Sequence, residues 1–121
     1  MNPAANDLQG FQALLEQVKE VFLQENNLLK SGRLQEYSQL MTRKRELVTK
    51  LEQALQGLSQ MRENKTHTDK EQLRSLQDKL MQMLMIDREN EQLLLTKSMG
   101  NFQVSSSRVS SKGIETLYKK L

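Results

Sequence analysis

A chain of 121 residues is one domain's length, and with 36% hydrophobic and 4% aromatic residues and no tryptophan it lacks the material for a thick globular core. The absence of cysteine excludes a disulfide, a thiolate metal site and a thiol nucleophile. The formal net charge of +3 is unevenly placed: residues 1–95 carry 13 basic and 14 acidic side chains, whereas the remainder carries five basic groups against Glu115 alone.

Richness in Leu, Gln, Glu, Lys and Met suits long helices that each bury one narrow face. In chain order, the first segment shows the stripe Leu8, Phe11, Leu15, Val18, Phe22 and Leu29. Its phase breaks at Lys30-Ser31-Gly32, where the step from Leu29 to Leu34 is five. Glycine costs about 1 kcal/mol in a helix interior, so a kink or an end is predicted near 31–32. Residues 1–30 then either lengthen a hairpin or fold back as a third helix.

From Leu34 a 3-4 spacing runs through Tyr37, Met41, Lys44, Val48, Leu51, Leu55 and Leu58. A second arm repeats it with Leu73, Leu76, Leu80, Met83, Asp87, Asn90 and Leu94. Such repeats lay a stripe along each helix and call for coiled-coil-like packing. The polar stretch 63–68 between them reads as a turn, with Thr68 or Asp69 as the N-cap of the second arm. A short polar connection makes the arms antiparallel neighbours. Folding there sets Leu58 against Leu73, Leu55 against Leu76, Leu51 against Leu80 and Val48 against Met83. Lys44 then faces Asp87, and Asn90 lies beside Met41. These charges interrupt otherwise apolar stripes, and a polar layer of Lys44, Asp87 and Asn90 fixes register at some cost in stability.

Residues 1–104 thus read as one antiparallel α-helical domain, and 105–121 as a serine-rich linker with a short amphipathic end. Serine competes for backbone hydrogen bonds, and Gly113 is a natural helix breaker. Beyond it Ile114, Leu117, Tyr118 and Leu121 follow the spacing of one helical face. So short a helix does not hold alone in water. It either frays or folds against a groove with its apolar face inward. The fold class expected is all-α: a long antiparallel hairpin or elongated three-helix bundle with a flexible C-terminal tail.

Little in the chain suggests catalysis. His67, the single histidine, falls in the predicted turn, and no Gly-rich phosphate loop or HExxH motif is present. The carboxylate pairs Glu16/Glu20 and Asp87/Glu91 sit at helical spacing, where solvated faces are the ordinary reading. An enzyme, a cofactor and a metal site are therefore not expected. The dense basic run Arg43-Lys44-Arg45 is followed at once by Glu46 and has no interleaved aromatics, which argues against nucleic acid. Met83-Leu84-Met85-Ile86 is too short an apolar run to enter a bilayer as a span. The N-terminus lacks the basic and apolar regions of a secretory signal, so a cytoplasmic location is expected.

Three stretches carry a family resemblance. "NNLLKSGRLQEYSQLMTRKRELVTKLEQAL" (26–55) is a run of leucines, a small-polar interruption, and a Leu-rich stretch leading to a basic position before "ELV". "DRENEQLLL" (87–95) places Asn90 before the pair Leu93 and Leu94, and a serine-rich stretch precedes the late Tyr118. Together they resemble the FlgN family of flagellar type III export chaperones. The chain departs from the family pattern after the tyrosine, where "KKL" replaces a glycine-bearing end. The resemblance implies a cytosolic bacterial chaperone that binds C-terminal segments of the hook-filament junction proteins FlgK and FlgL and delivers them to the export gate. By position it implies Leu95, Met99, Phe102 and Val109 on the substrate face, and Ile114, Leu117 and Tyr118 in tail recognition.

The residues themselves agree in kind. Met81, Leu84, Met85 and Leu95 lie beside the seam and are surplus to a hairpin. Burial under the N-terminal helix would account for Met81 and Leu84. Alternatively they form an adaptable partner-binding surface, since methionine has three rotatable bonds and a polarizable sulfur. The competing expectation is a structural coiled-coil tether that satisfies its stripe by self-association, such as a homodimer, with no client.

Overall fold

The computed structural model describes residues 3–63, 70–97 and 108–120. Among these there are four helices and no strand: α1 (Pro3–Lys30), α2 (Leu34–Glu63), α3 (Lys70–Lys97) and α4 (Lys112–Lys119). The expected turn at 63–68 with its caps Thr68 and Asp69 falls, beyond Glu63, outside the described residues. So do His67, Met99, Phe102 and the proposed boundary at 104/105.

The 3-4 spacing reports the buried faces well. Phe11, Leu15, Val18, Phe22 and Leu29 of α1 are buried, as are Tyr37, Met41, Lys44, Val48, Leu51, Leu55 and Leu58 of α2. On α3 the buried set is Leu76, Leu80, Met83, Leu84, Asp87, Asn90 and Leu94. Most of these side chains form one large apolar cluster, while Leu29, Tyr37, Met41 and Leu94 form a smaller one. Tyr37 and Leu94 share that cluster, as the antiparallel register of α2 and α3 requires.

Of the two alternatives for residues 1–30, the third helix is the one observed. α1 folds back and packs along both α2 and α3, and these are the most extensive helix packings among the described residues. Among the described residues α2 and α3 pack on each other less extensively than either packs on α1, so the expected two-helix seam is shared with α1.

The chain reverses between α1 and α2 because residue 32 is glycine. Gly32 has φ +72°, the left-handed region that side chains with a Cβ resist. Its N–H donates to the Leu29 carbonyl at 3.2 Å and the Arg33 N–H donates to the Leu28 carbonyl at 2.9 Å, which together form a Schellman motif. A Cβ at Gly32 would meet nothing within 4 Å, so only backbone strain opposes a side chain there. Gly32→Ala is therefore expected to lower unfolding free energy by about 1 kcal/mol, with Gly32→Asn losing less. Urea melts of the two variants check this.

The C-terminal segment departs from the expected flexible tail. α4 packs mainly on α2 and also touches α3, with Ile114 fully buried in the large cluster and Leu117, Tyr118 and Val109 packed against it. Gly113 does not break the helix but lies in its first turn. A Cβ there would come within 2.5 Å of Glu52 Oε1 on α2, the mobile end of a side chain that could swing aside. An eight-residue helix is unstable alone, and tertiary burial supplies what local propensity does not.

Candidate functional site: a buried charge layer and an uncovered face

Each of the three long helices sends polar side chains into one layer of the core. Lys44 on α2 is fully buried, and its ammonium has three protons to place. It lies 2.7 Å from Glu25 Oε1 of α1 and 2.7 Å from Asp87 Oδ1 of α3. The remaining side faces the Phe22 ring, whose centroid is 4.7 Å away, a cation–π contact in a dry setting.

Asp87 uses its second oxygen to hold the C-terminal segment. Oδ2 accepts from Arg108 Nη2 at 2.8 Å and from Ser111 Oγ at 2.5 Å, and Arg108 also donates to the Asp87 carbonyl at 3.0 Å. One carboxylate thus joins α2, α3 and the approach to α4. Arg88 of α3 pairs with Glu115 of α4 at 3.2 Å nearer the surface, a contact that water weakens.

Asn90 completes the layer toward α1. Its amide donates to the Phe22 carbonyl at 2.9 Å and to Glu25 Oε1 at 3.2 Å, and its oxygen accepts from Asn26 at 2.9 Å. The expected layer of Lys44, Asp87 and Asn90 is therefore present, but Asn90 finds its hydrogen-bond partners on α1. Glu25, Asn26, Arg108 and Ser111 join it in addition to the three expected residues. Two cations face two carboxylates, so the layer is neutral overall.

The two carboxyl groups titrate in opposite directions. Burial pushes Glu25 up, and the pull of Lys44 does not cancel it, so Glu25 titrates above its ordinary 4.5. Burial would also raise Asp87, but Lys44 and Arg108, together with hydrogen bonds from Lys44 and Ser111, hold it below its ordinary 3.8. A carboxyl raised by folding holds its proton more tightly in the fold, so Glu25 adds stability as pH falls through its raised range toward 4.5. Asp87 has the opposite sign: its contribution is complete above 3.8 and is lost as pH falls below that value. The combined contribution is expected to be greatest between 3.8 and 4.5 and to decline on both sides. Denaturant midpoints from about pH 2 to about pH 8 measure this, and Glu25→Gln should remove only the decline on the alkaline side.

This layer is a register and docking device in its geometry. Both Asp87 oxygens are engaged, and among the described residues no group of three His, Cys, Asp or Glu is arranged to hold a metal ion.

The candidate partner-binding residues divide into two sets. Met85 and Leu95 on α3 are 61% and 53% exposed, and Met81 is 39% exposed, whereas Leu84 is buried. At helical spacing Met81, Met85 and Leu95 share a stripe with Arg88 and Gln92, all exposed. Ile114, Leu117, Tyr118 and Val109 instead pack inward on the chain's own helices. No helix among the described residues is long and apolar enough to cross a membrane. No family model, curated protein or solved structure matches the chain.

Proposed function

We propose that this protein is a cytoplasmic export chaperone of the FlgN type, which holds C-terminal helical segments of the hook-filament junction proteins and delivers them to the type III export gate. The observation that supports this reading is the exposed stripe of α3, apolar at Met81, Met85 and Leu95 and polar at Arg88 and Gln92. Met81, Met85 and Leu95 stay exposed after α1 and α4 have packed on the same helix. The stripe runs 14 steps along the helix from Met81 to Leu95, roughly 21 Å at helical rise, which accommodates about four turns of a client helix. Methionine adapts to varied apolar partners, and an amphipathic client presents its face to such a stripe in a helix-in-groove mode. The charge layer beneath keeps the stripe on a rigid helix and takes no part in chemistry.

The test is calorimetric titration of the full chain with peptides from the C-termini of hook-filament junction proteins, alongside light scattering. A one-to-one complex is expected. Met85→Asp and Leu95→Asp should each weaken it by at least about tenfold, or ~1.4 kcal/mol, with the helical spectrum unchanged. A stable homodimer indifferent to every peptide would replace this reading with that of a structural tether.

A further inference from the structure

The outward face of α3 carries a pattern that is symmetric about Met83. Arg74, Asp78, Met81, Met85, Arg88 and Gln92 are spaced four, three, four, three and four apart, and all are exposed. This alternation is the one that lets two helices pair side by side. At helical periodicity these residues lie opposite Leu80, Met83, Asp87 and Asn90, which pack into the bundle. A twofold axis passing beside Met83 brings the outward face onto its own copy in antiparallel orientation. Met81 then meets Met85 of the second copy, Asp78 meets Arg88 and Arg74 meets Gln92, and each contact occurs twice.

We propose that this face of α3 pairs with a second copy of the chain as an antiparallel, twofold-symmetric dimer. The charges select both the orientation and the register. Parallel pairing sets Asp78 against Asp78 and Arg88 against Arg88, like charges on both sides of the methionines. Sliding the antiparallel pair by one heptad in either direction puts Met85 against Arg88 or Arg74. The register centred on Met83 joins methionine to methionine and opposite charge to opposite charge at once. Arg88 also holds Glu115 of α4 at 3.2 Å, but its side chain is 66% exposed. A guanidinium has several N–H donors, enough for a second carboxylate. One helix face of this length covers less than the roughly 800 Å² per partner of stable interfaces, so the dimer exchanges with monomer. Met81 and Met85 also belong to the stripe assigned to client helices, so the dimer masks that stripe until a client displaces it. The masking rests on the export-chaperone reading, whereas the dimer itself does not.

Sedimentation velocity of the full chain over a concentration series measures the pairing. A reversible dimer is the expected result, and a monomer at every concentration up to the millimolar range overturns the proposal. Asp78→Arg and Arg88→Asp each place like charges at two symmetric points, so each alone should raise the dissociation constant at least about tenfold. An equimolar mixture of the two variants restores opposite charges at both points and should dimerise as the wild type does. Both changes are on exposed side chains, so circular dichroism should stay unchanged. A mixture that stays monomeric, or a single variant that dimerises like the wild type, overturns the interface. Because the chain contains no cysteine, mild oxidation of Met81→Cys mixed with Met85→Cys tests the orientation. Disulfides between the two variants should form faster than within either one, and the reverse order overturns the antiparallel register. Peptides from the C-termini of hook-filament junction proteins should dissociate the wild-type dimer. A peptide that binds while the dimer persists overturns the masking, and a dimer that passes the charge test but binds no peptide stands without the export reading.

Discussion

Lys44→Met is expected to destabilise the fold by about 3–5 kcal/mol, the usual consequence of removing one partner from a buried ionic group. Methionine fills much of the lysine stem, so a cavity contributes little. The loss comes from the carboxylates left behind. Asp87 retains Arg108 and Ser111, but Glu25 loses Lys44, the one cation among the described residues that hydrogen-bonds to it. Burial already raises the Glu25 pKa against the pull of Lys44, and without that pull it must rise further. The variant should therefore recover stability as the solution is made mildly acidic, because the fold then binds the proton that neutralises Glu25. Adding Glu25→Gln should restore most of the loss at neutral pH, since an amide still accepts from Asn90 and carries no charge. Urea melts of the single and double variants at two pH values measure all three quantities. A Lys44→Met protein as stable as the wild type at neutral pH would mean that the layer contributes no net specificity or stability.

How much of this layer is legible in the sequence depends on whether a residue obeys a local period. Lys44 and Asp87 stand at apolar positions of their own stripes, so a helical spacing rule exposes both, and antiparallel pairing brings them together. Glu25 obeys the same rule: Phe22 and Leu29 are seven apart, and Glu25 occupies the skipped stripe position between them. A buried charge in that gap marks α1 as a third wall of the core, which requires that it fold back. Arg108 and Ser111 carry no such mark, because their role is set by a free oxygen on Asp87, far away in sequence. Similarly, the i, i+3, i+4 pattern of Ile114, Leu117 and Tyr118 reveals an apolar face without revealing which groove receives it. That groove on α2 brings Gly113 against the Glu52 carboxylate, a contact between helices that no local pattern encodes.

Ile114→Ala is expected to cost about 2–4 kcal/mol, because a fully buried isoleucine in the main cluster leaves a cavity that neighbouring helices only partly close. Were α4 a peripheral tail, the same change would cost a few tenths of that, as surface substitutions do. The magnitude therefore distinguishes a docked element from a frayed end. Its form matters as well. If α4 melts together with α1–α3, the urea transition shifts as a whole and amide protection falls evenly. If α4 opens first, residues 112–119 already exchange faster than the protected amides of α2 and α3 in the wild type, and the substitution increases their opening further. The second pattern is the expected one, because α4 is a single short helix held by Ile114, by the Asp87 contacts of Arg108 and Ser111, and by Arg88–Glu115. Asp87→Asn weakens the same docking from the polar side, so it should accelerate exchange at the same residues. Since the two substitutions act on one opening event through separate contacts, their effects on α4 protection should be close to additive in free energy.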